Sequence, residues 1–375
     1  MKLRVGVVGV GPMGRGHARH YSELPGCDLV AVVDSDPGRR AESALKTGAM
    51  AFADPKELIG RVDAVSIATP TTTHRAVALP FIEAGIHVLV EKPIAQSTAE
   101  ALAIVDAAKA KGVVLQVGHI ERFNPAFRAA KEVVCDPRYV ICDRLSPFAF
   151  RSTDIGVVHD LMVHDLDILF EFLDDEVQEM EAFGIPVLSL SEDMADARLR
   201  FKGGAIADVR ASRVSMKRMR KIRMFQSNAY LSIDYDGNSI SVFKKSEAYE
   251  KGELNPLEIN PAMLEDPYGF VFGQLLEVTE HEIRTTDALR DELASFLDAC
   301  RGLHPTEVSG EQGLRAVRLA DRIQQSVESY LDKESKRAGI VLPRRPSRAP
   351  AEPEPGVPPT ERYGSSEAPR TEDEG

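Results

Sequence analysis

Long apolar runs are missing from this chain of 375 residues: none approaches the roughly 18 consecutive apolar positions a membrane-spanning helix requires. The opening segment MKLRVGVVGVG is too short and too strand-like for a secretory signal, and no small-residue cleavage site follows it. A cytoplasmic protein with no membrane partner is therefore expected. Cysteine is scarce: Cys27, Cys135, Cys142 and Cys300 are scattered with no C-x-x-C pair, which disfavours a disulfide framework or a zinc site, and no metal is expected. Positive charge is in deficit, with 46 Lys and Arg against 58 Asp and Glu. The resulting net charge of -12 disfavours nucleic acid as a partner, and an anionic substrate would need a local basic patch.

What is present suits a globular protein with a real core, since 43% of the residues are hydrophobic and the length allows two domains. Through about residue 122, runs of Val, Ile and Leu such as LRVGVVGV, DLVAVVD, VDAVSIATP, IHVLVEKP and VVLQVGH alternate with helical segments. Continuously apolar strands alternating with helices predict a parallel sheet covered on both faces. Beyond Arg122 the strands lengthen, and glycine turns in FKGGAIA and DYDGNSI predict hairpins. The expected architecture is an α/β Rossmann N-terminal domain (1–122) plus an α+β domain (123–286) with a large, mainly antiparallel open sheet. Residues 246–286 read as a loop-rich connection, and two amphipathic helices at about 287–332 are expected to pack back on the body. From Val341 onward the chain holds 8 of its 23 prolines and few bulky apolar residues, so 341–375 is expected to be a disordered tail.

Gly9-Val10-Gly11-Pro12-Met13-Gly14 is a GxGxxG between a buried strand and a helix. The first glycine permits the tight turn, the second lets the backbone approach a pyrophosphate, and the third lets helix and strand pack closely. The phosphates would sit on the free N–H groups of the helix start. Asp34, at the end of the second strand, is placed to accept hydrogen bonds from ribose hydroxyls, which favours NAD over NADP; Arg39 and Arg40 nearby argue the other way. The bland alternative is a glycine turn in some other α/β protein. Lys92, in VEKPIA, follows the fifth strand at its carboxyl end, where ligands of such sheets bind.

The stretch VVHDLMVHDLDIL, Val157 to Leu169, sets two histidines and three aspartates in an apolar segment. Read as an α-helix at about 100° per residue, it places Asp160, His164 and Asp167 on one stripe opposite Met162, Leu166 and Leu169. The i,i+4 spacing lets the Asp160 carboxylate approach and orient the His164 imidazole. His159 and Asp165 fall to either side, so a converging set of metal ligands is not favoured. An exposed polar helix face is the remaining alternative.

Taken together, GVGPMG, ATPTTTH, EKPIA, VGHIERFNPA and DLMVHDLD resemble the Gfo/Idh/MocA oxidoreductases over roughly residues 3–330. The resemblance implies a catalytic constellation of Lys92, Asp160 and His164, with Thr69, Pro70, His74 and Glu91 lining the cofactor site. It implies an NAD-dependent enzyme in which His164 takes a hydroxyl proton while Lys92 steadies the oxygen. The run TDIGVVHD departs from the glycine-rich segment of many members and bears on pocket shape. VGHIERFNPA and SRVSMKRMRKIRMFQ are similar to the subgroup that oxidises the 3-hydroxyl of UDP-linked N-acetylamino sugars such as UDP-N-acetylglucosamine, on the way to the diamino sugar of lipid A. Their product would pass to an aminotransferase. On that reading Arg122, Asn124 and Arg213 are substrate candidates, alongside ion pairing or a strand face as the structural alternatives. A free-sugar or inositol dehydrogenase, a non-catalytic NAD-binding regulator and a reductase of a biliverdin- or imine-like substrate are the competing functions. The open sheet face predicts a homodimer or homotetramer.

Overall fold

The computed structural model describes residues 2–149, 155–283 and 286–338; the expected tail at 341–375 lies outside them. Six strands form the first sheet: β1 (Leu3–Val8), β2 (Cys27–Val33), β3 (Met50–Phe52), β4 (Ala64–Ile67), β5 (His87–Glu91) and β6 (Leu115–Gly118). All are parallel, in the order β3-β2-β1-β4-β5-β6. The order reverses between β1 and β4, which opens a crevice at their carboxyl ends, the binding position in open α/β sheets. Val5, Val7, Val65, Ile67, Val88 and Val90 are fully buried because helices cover both faces.

One helix of this half is absent from the sequence reading. Pro37–Thr47 is capped by Asp36, whose carboxylate accepts the Arg39 amide, and it ends at left-handed Gly48. Its start and stop signals, D-P and G, stand in the sequence, but of its residues only Ser43 is buried, so no apolar stripe announces it.

The second sheet has eight strands: β7 (Pro137–Leu145), β8 (Val177–Ile185), β9 (Met194–Phe201), β10 (Ile206–Ser212), β11 (Met219–Gln226), β12 (Ala229–Asp234), β13 (Ser239–Lys245) and β14 (Leu276–Glu282). Their order is β14-β13-β12-β11-β7-β10-β9-β8, antiparallel except for the β7–β10 pair. Alternation sorts β9 cleanly: Ala195, Ala197, Leu199 and Phe201 point inward while Arg198 and Arg200 face out. The span expected to be loop, 246–286, includes an edge strand. LEVTEHE carries three glutamates and only two apolar residues, Leu276 and Val278, and β14 finds its place only by pairing with β13.

Two late helices return to the earlier layers. Ala288–Cys300 packs on the helix Pro12–Glu23. The long helix Gly310–Ala338 contributes Val308-adjacent Leu314 and Val317 to the core of the first sheet and Leu319, Ala320, Ile323 and Val327 to the core of the second. A rigid rod shared by two cores holds the crevice between them. Among the described residues no helix is long and apolar enough to cross a membrane.

Candidate active site

The glycine loop has a separate physical demand at each glycine. Gly9 adopts φ 85, and a Cβ there would lie 2.7 Å from the Ala68 carbonyl oxygen. A Cβ at Gly14 would lie 1.7 Å from the Gly9 oxygen, so helix and strand could not close together. A Cβ at Gly11 would meet nothing within 4 Å, so this glycine faces open space. Gly11 is also the N-cap of Pro12–Glu23 and supplies no side chain to the free amides of the first turn. An uncapped helix start beside open space fits a pyrophosphate. Pro12 and Met13 form the first turn. Asp34 is buried at the end of β2, where its carboxylate accepts the Val10 and Asp36 amides, each at 2.9 Å. Arg40 donates to the carbonyls of Asp34 and Ser35 at 3.2 and 3.1 Å, which ties it to backbone. This donor set fits the dinucleotide.

The EKP turn is braced from below. Pro93 follows a cis peptide bond. His74 is buried and sits between two carbonyl oxygens, that of Pro93 at 3.0 Å from Nδ1 and that of Thr69 at 2.9 Å from Nε2. The Thr73 hydroxyl donates to that of Thr69 at 2.8 Å, and Pro70 lies exposed at the head of the same turn. Glu91 is buried and takes a hydrogen bond from His17 Nε2 at 3.0 Å. Glu292, fully buried on Ala288–Cys300, faces both: ligand-type atoms of His17, Glu91 and Glu292 lie within 4.8 Å of one another. Among the described residues neither Glu292 oxygen has a hydrogen-bond partner. Burial, and then the charge of Glu91, push the Glu292 carboxyl well above its ordinary value and favour its neutral form. His74 and Glu91 thus support the crevice from beneath, while Thr69 and Pro70 lie nearer its surface.

Lys92 reaches across the crevice. Its Nζ donates to the Asp160 carbonyl oxygen at 2.7 Å and lies 3.4 Å from Asp160 Oδ1. The start of the Val157–Leu169 stretch is not α-helical, because Val158–Met162 is a π turn before the helix Val163–Leu173. The wider turn changes the angular bookkeeping that placed Asp160 over His164. Asp160 pairs with Lys92, and the buried His164 Nδ1 has no hydrogen-bond partner among the described residues. The rest of His164 keeps some exposure, so its other ring edge opens to the crevice. Burial first, then the charges of Lys92 and Arg144, drive its pKa well below the ordinary histidine value. The imidazole is neutral at neutral pH and can accept a proton.

The remaining polar residues of the stretch each have a separate partner. His159 Nε2 meets Asp321 of the long helix at 2.9 Å. Asp165 receives a two-pronged bond from buried Arg144 at 2.8 and 3.0 Å, and Asp167 one from buried Arg122 at 2.6 and 3.0 Å.

Two of the substrate candidates are therefore engaged inside the protein. Arg122 is 1% exposed and also pairs with Glu171. Arg213 is 4% exposed; it binds Asp193 at 2.7 Å and donates to the Ile155 carbonyl at 2.9 Å. Asn124 caps the helix Pro125–Lys131, its Oδ1 accepting the Ala126 amide at 2.9 Å while Nδ2 lies 3.4 Å from Glu121. Beside His164 stand His119, which the sequence did not single out, and Arg220, one of the cations of SRVSMKRMRKIRMFQ that could meet a diphosphate. His119 follows β6 with its ring 6.4 Å from that of His164. Arg220, on β11, is half-buried and lies close enough for its charge to lower the His164 pKa. His119 had a signal, its place just past a parallel strand. Arg220 had none to separate it from the other cations of its run.

Known proteins resemble the chain along most of its length. A family model described as an oxidoreductase family with an NAD-binding Rossmann fold matches residues 3–119, and the GFO/IDH/MocA C-terminal domain matches residues 133–232. UDP-N-acetylglucosamine 3-dehydrogenase of Acidithiobacillus ferrooxidans is 33% identical over 332 residues, 88% of this chain and 99% of that protein. Its solved structure superposes with a TM-score of 0.78 over the same shares of the two chains. Myo-inositol 2-dehydrogenase of Thermotoga maritima is 28% identical across 87% of this chain and 96% of its own length. Scyllo-inositol 2-dehydrogenase (NAD(+)) of Bacillus subtilis is 33% identical across 57% and 68%.

Proposed function

Because the chain belongs to the GFO/IDH/MocA family of NAD-dependent oxidoreductases, we propose that it oxidises a secondary hydroxyl of a sugar to a ketone, and that this is the 3-hydroxyl of UDP-N-acetylglucosamine. The observation that carries the chemistry is the crossing of the crevice by Lys92 to Asp160, one helical turn before His164. The glycine loop would hold NAD, which would supply the hydride acceptor.

The open edge of His164 takes the hydroxyl proton, since a neutral imidazole has a lone pair to offer. The Lys92 ammonium hydrogen-bonds the same oxygen and stabilises its developing negative charge. Asp160 acts on Lys92 rather than on His164, holding the ammonium over the reacting oxygen through its carbonyl and carboxylate. Arg220 is the residue we assign to the diphosphate, because it is half-buried beside His164 and its pairs with Glu121 and Asp236 are long, 3.5 and 3.8 Å, while Arg122 and Arg213 are locked in short buried pairs. The 33% identity across 88% of the chain supports the UDP-sugar over other hydroxyl substrates. Inositol is the second reading, favoured by the likeness to the two inositol dehydrogenases.

The outer aromatic row Tyr139, Phe225, Tyr230 and Phe243, with successive ring centroids 5.8, 4.7 and 5.1 Å apart, supports pairing of this sheet with a second copy. Light scattering would return a dimer or tetramer mass; a monomer would refute it.

The substrate test is incubation with NAD and, in parallel, UDP-N-acetylglucosamine, free N-acetylglucosamine and myo-inositol, followed by mass analysis for loss of two hydrogens. Turnover of the nucleotide sugar above the others is expected; turnover of inositol alone would replace the reading. His164→Ala should keep NAD affinity and lose on the order of a hundredfold in turnover. Wild-type activity should hold down to a pH below histidine's ordinary 6.5, because the base stays neutral there.

A further inference from the structure

A base that accepts a proton on one ring nitrogen must carry its own proton on the other. If His164 takes the hydroxyl proton at its open edge, as proposed above, its neutral form carries the proton on Nδ1. That nitrogen is buried, and among the described residues it has no hydrogen-bond partner. The carboxylate that sequence spacing offers for this task, Asp160, is occupied by Lys92.

The ring of His119 lies beside it. This residue is 1% exposed, and among the described residues neither of its nitrogens has a hydrogen-bond partner. Its ring centroid is 6.4 Å from that of His164, with the planes at 87°. Rings this close are neighbours that a single water can join. On the far side, His119 Nδ1 stands 3.8 Å from Asp167 Oδ2, and Arg122 fixes that carboxylate. Three buried nitrogens without hydrogen-bond partners among the described residues, two imidazoles and an anchored carboxylate therefore stand beside one another.

The geometry points to His119 as the positioning residue for His164. Its Nδ1–H turns toward Asp167, which leaves Nε2 as an acceptor for the His164 Nδ1–H through a water. This sets the His164 tautomer, presents the other lone pair to the substrate hydroxyl, and places a carboxylate behind the imidazolium that forms. The device is an orienting acid acting through a second imidazole. The groups that bear on the pair are Lys92, Arg144 and Arg220 around His164, and Asp167, Arg122 and Glu91 around His119.

The inference rests on His164 as proton acceptor, and its test needs no substrate. Long-range proton–nitrogen correlation spectra of histidine-labelled, NAD-loaded protein report the tautomer and titration of each ring. In wild type the neutral His164 should carry its proton on Nδ1. In His119→Phe that preference should be lost, and the His164 titration midpoint should move further down, because the imidazolium loses its acceptor. His119→Gln, whose amide oxygen can accept the same hydrogen bond, should restore the Nδ1–H tautomer. With UDP-N-acetylglucosamine, turnover of His119→Phe should fall about tenfold or more while NAD affinity stays unchanged. A wild-type His164 protonated on Nε2, or a His119→Phe protein with wild-type tautomer and midpoint, would overturn the inference. A misfolded His119→Phe leaves His119→Gln to decide it: loss of the Nδ1–H tautomer in the folded Gln protein refutes the acceptor role. An active His164→Ala would instead sink the proposed function and leave the spectroscopic result standing.

Discussion

The two halves of the crevice work by different means. On the nucleotide side the working parts are backbone: free amides at a helix start, a glycine with open space above it, and a carboxylate fastened to two amides. On the substrate side the frame is made of buried side-chain pairs whose partners come from distant strands and helices. Arg144 joins β7 to Asp165 and Glu121, Arg122 reaches Asp167, and Arg213 reaches Asp193. A backbone site is written into a few adjacent residues. A side-chain site depends on which of many charged residues fold next to one another. This difference explains why a glycine loop can be read from adjacent residues while the partners of the cations cannot.

Arg213 gives the sharpest way to break the comparison. If its role is internal, Arg213→Ala leaves Asp193 buried without its cation. Burial alone would raise the Asp193 carboxyl, but the amides of Leu188 and Val187 hold it well below the usual range, so it stays charged. Stripping the partner from a buried charge costs about 3–5 kcal/mol. Thermal unfolding should reveal a loss of that order, with the Michaelis constant of the remaining folded enzyme near wild type. A stable variant with a strongly raised Michaelis constant would return Arg213 to the substrate site.

Residues 1–122 illustrate how far sequence carries. Strand runs, glycine loop and Asp34 were legible because each is a local pattern with one physical meaning. In Val157–Leu169 the composition was legible and the geometry was not. A π turn replaces the first α turn, so Asp160 faces Lys92 and His164 looks elsewhere for a partner. No residue of VVHDLM announces that extra residue in the turn. The edge strand β14 was hidden for a related reason, since its charged composition resembles a solvated loop until β13 supplies a neighbour. Glu292 was invisible too: on sequence it is one acid among several on an amphipathic helix.

Glu292 tests the nucleotide side, where one side chain breaks the backbone rule. Burial and the charge of Glu91 push its carboxyl well above the ordinary value. Unfolded, it ionises above the ordinary glutamate value of 4.5. Between that value and its raised one, the native state therefore binds the extra proton, so stability falls as pH rises. The slope from this group is at most about 1.4 kcal/mol per pH unit. Glu292→Gln keeps the shape without the charge, so it should flatten that decline and raise the melting temperature at alkaline pH. An unchanged pH profile would mean that a bound cation rather than a proton neutralises the His17–Glu91–Glu292 cluster, and metal analysis of the purified protein would then find it.

The smallest effect separates the halves most finely, because Asn124 stands at their junction with two possible duties. As a cap it satisfies the Ala126 amide at the head of Pro125–Lys131; as a substrate partner it would offer its amide to a sugar hydroxyl. Asn124→Ala removes both and should cost about 1 kcal/mol of stability. Asn124→Ser keeps a capping oxygen and discards the amide, so stability should return to within a few tenths of a kcal/mol of wild type. The Michaelis constant for UDP-N-acetylglucosamine then decides: unchanged in the Ser variant, Asn124 is a local cap of the kind a sequence can announce. Raised severalfold at full stability, the side chain belongs to the crevice, and the boundary between the backbone-built and side-chain-built halves moves one residue toward the nucleotide.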